Sequence, residues 1–128
     1  MAADHGVDFF YKNKIRPDII VGDFDSVSDC ALQSFLNEQN IEIHRLNPEK
    51  DDTDLEHSLR LAIEKGATDV EILGATGSRI DHVLGNIQLL GLSTSTGVSI
   101  KLINSNNRIQ VLGEDYSIKK NEQFGKYV

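Results

Sequence analysis

Pro17-Asp18-Ile19-Ile20-Val21-Gly22-Asp23-Phe24-Asp25-Ser26 is the stretch on which the fold turns. Ile19, Ile20 and Val21 form a continuous apolar run, the pattern of a strand buried in a parallel sheet rather than the alternation of a half-exposed one. Two carboxylates stand where that strand should end. In extended chain residues i and i+2 share a side, so Asp23 and Asp25 are expected to face one way together. Like charges held that close repel. A chain places them so when a cation sits between them or when both reach water.

Outward from this strand the pattern alternates. A first turn over Asp8–Asn13 precedes it. Helix is expected over Asp29–Gln39, capped by Ser28, with Leu32, Phe35 and Leu36 on one face. Strand follows over Ile41–Leu46. A second helix, Thr53–Lys65, repeats apolar Leu55, Leu59, Ala62 and Ile63 at helical spacing. Thr53-Asp54-Leu55-Glu56 has the form of a capping box, and Gly66 stands as the C-terminal stop. Then come a strand over Val70–Leu73, a helix over Ile80–Leu90 stopped by Gly91, and a strand over Ile100–Ile103. Alternation with short connections predicts βαβ units, a Rossmann-like three-layer α/β domain and a mainly parallel sheet. Ligands of such sheets bind beyond the carboxyl ends of the strands. After Asn104 the texture changes, and Ile109–Leu112 and Tyr116–Ile118 predict a hairpin around Gly113-Glu114-Asp115. The expected division is therefore 1–104 for the α/β domain and 105–128 for the beginning of another.

The 128 residues are one domain's length, and folding would bury roughly two-thirds of the unfolded chain's surface. A net charge of −7 without a Lys/Arg stripe argues against a general nucleic-acid or anionic-membrane binder. Phosphate ligands stay open, because a divalent cation can mediate their contact. The single cysteine, Cys30, allows no internal disulfide and is expected as a buried apolar residue in a reducing compartment. With no membrane-length apolar run and no basic-then-apolar leader, the chain reads as a cytoplasmic protein.

Three loops carry the chemistry. The first is Gly22–Ser26, whose plainest reading is a solvated turn. The second is Lys50-Asp51-Asp52-Thr53-Asp54. One or two acids there suit the positive end of a helix, but three in four positions repel, and magnesium is the simplest relief. The third is Gly74-Ala75-Thr76-Gly77-Ser78-Arg79-Ile80-Asp81-His82. Glycines between a strand and a helix present backbone amides to an anion, and Arg79 can bind phosphate bidentately. It is neither a Walker A loop nor a dinucleotide fingerprint. Asp81 alone reads as a first-turn acid and His82 as a packed histidine. Together the loops are expected to gather acids, glycines and an arginine on one sheet edge, the equipment of metal-assisted phosphoryl transfer.

These motifs, in this order and spacing, closely resemble the thiamine pyrophosphokinase family: Gly22-Asp23-Phe24-Asp25-Ser26, Asp51-x-Thr53-Asp54, then Gly74–Gly77 leading to Arg79-Ile80-Asp81-His82 and Asn86. Ala3-Asp4-His5-Gly6 resembles that family's Ala-Asp-Gly-Gly segment. The resemblance implies pyrophosphoryl transfer from ATP to thiamine, giving thiamine diphosphate and AMP. It implies magnesium, a homodimer, and a C-terminal β-sandwich that helps hold thiamine. Carried onto this chain, Asp23, Asp25, Asp51 and Asp54 bind magnesium and act in catalysis. Asp4, Gly22, Ser26, Thr53, Gly74, Thr76, Gly77, Ser78, Arg79, Asp81 and His82 form the nucleotide side. His5 and Ser78 stand where the family usually has glycine. The family's first strand falls before Ala2 and most of its sandwich after Val128, so the chain reads as a fragment with an apolar sheet edge. Two other readings stand beside it: a haloacid-dehalogenase-like phosphatase with Asp23 as nucleophile, though Val27 replaces its usual threonine, and a non-catalytic nucleotide- or metal-binding domain.

Overall fold

The computed structural model describes residues 1–47 and 52–124. Two compact units divide the chain, Met1–Leu61 and Ala62–Val128.

The first unit begins with a two-residue strand, β1 (Ala2–Ala3), and helix α1 (Gly6–Lys12), in place of a simple turn. Strand β2 (Ile19–Gly22), helix α2 (Asp29–Leu36), strand β3 (Glu42–Arg45) and helix α3 (Asp54–Glu64) follow, α3 running past the unit boundary. The strands form a parallel sheet in the order β1-β2-β3, with Ala3 opposite Val21 and Gly22 opposite Arg45. Ala2, Val7, Ile20, Phe24, Val27, Ala31 and Phe35 make its core. Ile20 and Val21 are wholly buried, as the unbroken apolar run predicts.

Three local expectations are corrected. Helix α2 ends at Leu36, and it buries Ala31 and Phe35 while Leu36 is open to solvent. Cys30 is exposed, because it lies on the outer side of that helix rather than on the stripe of Ala31 and Phe35. Ser28 occupies the N-cap position, but its hydroxyl does not cap the helix; it donates to Asp8 instead. The capping of α3 holds: the Glu56 amide donates to Thr53 Oγ1 at 3.2 Å. So does its stop, where Gly66 takes φ +87° and the Ala67 amide reaches back to the Ala62 carbonyl at 3.0 Å.

The second unit holds strand β4 (Asp69–Leu73), helices α4 (Ile80–Leu89) and α5 (Leu92–Thr96), and strands β5 (Ser99–Ile103) and β6 (Arg108–Gln110). Its sheet runs β4-β5-β6, parallel between the first two and antiparallel between the last. Ile72, Leu90, Val98, Ile100 and Leu102 are buried in it. The apolar stripe of α4 is only partly used, since Ile80 and Leu84 stay exposed. Gly91 does not stop this helix. Its φ of −61° is helical, and the chain turns directly into α5, which ends at Gly97 in the left-handed region. The hairpin also forms elsewhere than expected. β6 pairs back onto β5, because Asn104 Oδ1 accepts from the amides of Asn106 and Asn107 and so shapes the intervening turn. Tyr116–Ile118 is not a strand.

The α/β class and the mainly parallel pairing thus hold, with a three-stranded sheet in each unit among the described residues. No helix among the described residues is long and apolar enough to cross a membrane.

Candidate functional site

The carboxyl end of β2 builds the site. Gly22 is the last strand residue, with φ +157°. A Cβ there would lie 3.3 Å from the Cα and N of Asp4 and 3.3 Å from Asp54 Oδ2. Only glycine lets Asp4 and Asp54 approach the strand end so closely. The chain next reverses at Phe24, whose φ of +68° is unusual for a bulky residue. This turn drops the Phe24 ring into the core, 7 % exposed, and leaves the flanking acids outside. Asp23 Oδ1 accepts the Asp25 amide at 3.0 Å, an Asx turn. Asp23 and Asp25 therefore do come together, but through a tight turn and not through strand alternation.

Asp4 is the third member. Its amide donates to the Val21 carbonyl at 2.8 Å, which fixes it beside β2, and Ser26 Oγ donates to its Oδ1 at 2.5 Å. Carboxylate oxygens of Asp4, Asp23 and Asp25 lie within 4.8 Å of one another. The charge of Asp23 is the first cause that raises the Asp25 pKa above the ordinary carboxylate value; partial burial, the Asp23 hydrogen bond, Asp4 and Asp54 push the same way. Asp54 thus acts on the same group from the first position of α3. Thr53 is occupied as the α3 cap. Asp51 lies outside the described residues.

Hard oxygen donors in this number suit magnesium. An octahedral magnesium ion holds opposite oxygens about 4.2 Å apart, inside the 4.8 Å that bounds this cluster. A divalent cation would also remove the repulsion that raises Asp25. On both counts the residues fit the ion.

The loop after β4 belongs to the second unit. Gly74 takes φ +78°, and two side chains brace the segment behind it: Asn86 Nδ2 donates to the Ala75 carbonyl at 2.9 Å, and Asn104 Nδ2 to Thr76 Oγ1 at 3.1 Å. Gly77, Ser78, Arg79 and His82 are exposed at the start of α4. Arg79 grips Asp81 through Nε at 3.2 Å and Nη2 at 2.5 Å. That hydrogen bond is the main reason the Asp81 carboxyl falls to about 2. Arg79 is thereby oriented by its own loop.

The structure brings forward residues that the motifs do not single out for a role in the site. Asn104 and Asp8 are the main ones; Asn104 is signalled only by its polar run after a strand, and Asp8 by nothing but its place in the first turn of a helix. Arg45, at the end of β3, lays its guanidinium over the Phe24 ring at 5.5 Å to the centroid.

Known proteins resemble this chain in sequence and in fold. Residues 1–102 match the family model described as thiamin pyrophosphokinase, catalytic domain. The chain is 40% identical over 102 residues to thiamine pyrophosphokinase of Bacillus subtilis (strain 168), covering 79% of this chain and 47% of that protein. It is 30% identical over 110 residues to thiamine pyrophosphokinase 3 of Oryza sativa subsp. japonica, covering 81% and 37%. The crystal structure of the Bacillus subtilis thiamine pyrophosphokinase superposes with a TM-score of 0.74 at 37% identity, over 84% of this chain and 50% of that one. Thiamin pyrophosphokinase from Candida albicans shares the fold, with a TM-score of 0.69 at 19% identity over 82% and 50%. The chain spans half or less of the length of these relatives. With a match that runs from β1 into β5, the chain belongs to the thiamin pyrophosphokinase catalytic-domain family.

Proposed function

We propose that this chain carries the nucleotide- and metal-binding part of a thiamine pyrophosphokinase. The observation that supports it is the convergence of Asp4, Asp23 and Asp25 within 4.8 Å, in a chain of this family. In the reaction the hydroxyethyl oxygen of thiamine attacks the β-phosphorus of ATP. The bond from that phosphorus to the α-phosphate oxygen breaks, AMP leaves, and the hydroxyl proton passes to a carboxylate. Asp51 and Asp54 are the candidates for that base.

Asp23, Asp25, Asp51 and Asp54 are the residues that would hold magnesium. The ion supplies positive charge for the pyrophosphate oxygens. Asp4, Gly22, Ser26 and Thr53 border it. Gly74, Thr76, Gly77, Ser78 and Arg79 contact ATP through exposed amides and a guanidinium, with Asp81 and His82 supporting that loop. The same reading takes 105–128 as the opening of the family's β-sandwich, and the protein as a cytoplasmic homodimer. It binds neither nucleic acid nor membrane.

The test is an ATP–magnesium assay with and without thiamine, following AMP, on this chain and on a longer form that includes a complete second domain. AMP that appears only with thiamine supports the reading. Free phosphate without thiamine would instead mark a phosphatase, and nucleotide binding without turnover in either form a binding domain.

A further inference from the structure

The acidic turn is held on one side by three features of the β1–α1 segment. Asp4 takes the Ser26 hydroxyl at 2.5 Å. His5 Nδ1 lies 3.1 Å from the Ser26 carbonyl, so that nitrogen carries the proton and donates. Asp8 takes two donors from one residue: the Ser28 hydroxyl to Oδ1, and the Ser28 amide at 3.4 Å to Oδ2. His5 Nδ1 is also 3.3 Å from Asp8 Oδ2, which ties the second contact to the third.

Asp8 is the unusual member. It is 5 % exposed, where an ionised acid normally needs a matched partner. Its partner, Ser28, stands at the N-cap of α2, where a serine hydroxyl ordinarily accepts an amide of the first turn. Here no such bond forms. A helix cap is worth about 1 kcal/mol, and the fold forgoes it to send the hydroxyl to Asp8. The bond ties α1 to the residue at which the preceding turn ends: Ser28 closes a segment opened at Val21, and that segment carries Asp23 and Asp25.

We propose that Asp8 is a positioning residue which, through Ser28, holds the Asp23–Ser26 turn in the shape that gathers Asp4, Asp23 and Asp25. This rests on reading Asp23 and Asp25 as part of the cation site, with Asp4 at its border. Asp8 touches neither cation nor substrate in this scheme. It restrains the end of a turn whose charges push it open, as outer partners of metal ligands do.

The test measures Mn2+ binding by electron paramagnetic resonance, well below the melting temperature, in the wild type, Asp25→Asn, Asp8→Asn, Ser28→Ala, Ser28→Thr and the Asp8→Asn/Ser28→Ala pair. Asp8→Asn and Ser28→Ala should each weaken Mn2+ binding about tenfold. The double variant should be no weaker than either single, since one contact is lost in all three. Ser28→Thr keeps the hydroxyl and should bind as the wild type. Faster amide exchange at residues 25–28 should accompany the loss. Ser28→Ala changes an exposed side chain by one atom, so it carries the test if Asp8→Asn does not fold. Binding that Asp25→Asn abolishes but that Ser28→Ala leaves intact would overturn the positioning role alone. A wild type that binds no Mn2+, or an Asp25→Asn variant that binds it equally well, would overturn the cation site and this role with it.

Discussion

Gly22→Ala tests the close approach on which the site depends. The added Cβ would sit 3.3 Å from two backbone atoms of Asp4 and 3.3 Å from Asp54 Oδ2. Carbon contacts are comfortable from about 3.5 Å, so each neighbour must yield a few tenths of an ångström. The Asp4 backbone is the harder neighbour to shift, because its amide is bonded to Val21. The residue also has φ +157°, which side-chain-bearing residues rarely adopt. Overpacking of this kind costs about 1–3 kcal/mol. The loss is therefore about 1–3 kcal/mol, or a fall in melting temperature of roughly 4–24 °C for a unit of this size. Circular dichroism melts measure the first effect. Because the atoms that move belong to Asp4, Mn2+ binding should weaken as well, beyond what partial unfolding explains well below the melting temperature. An alanine variant with wild-type melting and wild-type Mn2+ affinity would refute the claim that glycine is needed for Asp4 to approach.

Three further outcomes are expected. Gly85→Ala should raise stability by about 0.5–1 kcal/mol, because Gly85 lies inside α4 and a Cβ there meets nothing within 4 Å; a lower melting temperature would contradict the helix. Asp25 has a raised pKa in the folded chain, so its contribution to stability is present at low pH and is lost as pH rises through its folded pKa. Magnesium should therefore raise the melting temperature more at neutral pH than in acid near the ordinary carboxylate pKa, and equal shifts at both would show that Asp25 does not meet the ion. Asp54→Asn should abolish thiamine diphosphate formation in a longer, active form while its far-ultraviolet dichroism stays unchanged; wild-type turnover would remove Asp54 from the site.

Much of this is legible in the sequence where two signals agree. The Ile19–Val21 run followed by Gly22 and two acids marks a strand end, and that strand end gathers Asp23, Asp25 and Asp4. Thr53, Glu56 and Gly66 bound α3 closely, since capping is local chemistry. What escapes depends on distant partners. Nothing near Ser28 shows that its hydroxyl serves Asp8, twenty positions earlier. Cys30 is apolar by type, yet its face of α2 is set by Ala31 and Phe35 meeting the sheet. Gly91 is a stop signal by composition, but φ there is decided by the run into α5. The last hairpin falls earlier than its glycine suggests, because Asn104, a side chain, makes the turn.

Strain and charge meet at one place in the first unit. Asp4 has φ +45° and Phe24 φ +68°; Phe24 lies within the acidic turn and Asp4 beside it. A non-glycine residue held there costs of order 1–3 kcal/mol, least for aspartate, whose short side chain tolerates it. Such a conformation persists only when the surroundings over-determine it. Phe24 is pinned from two sides, by burial of its ring in the core and by the Arg45 guanidinium stacked on it. Asp4 is pinned by Val21 and Ser26. Relaxing either residue would ease backbone strain and carboxylate repulsion at once, and these contacts oppose it. The core residues of α1 and α2 therefore do more than fold the unit: they oppose the natural opening of its acidic end, and they keep the carboxylates at a spacing that water alone would not select.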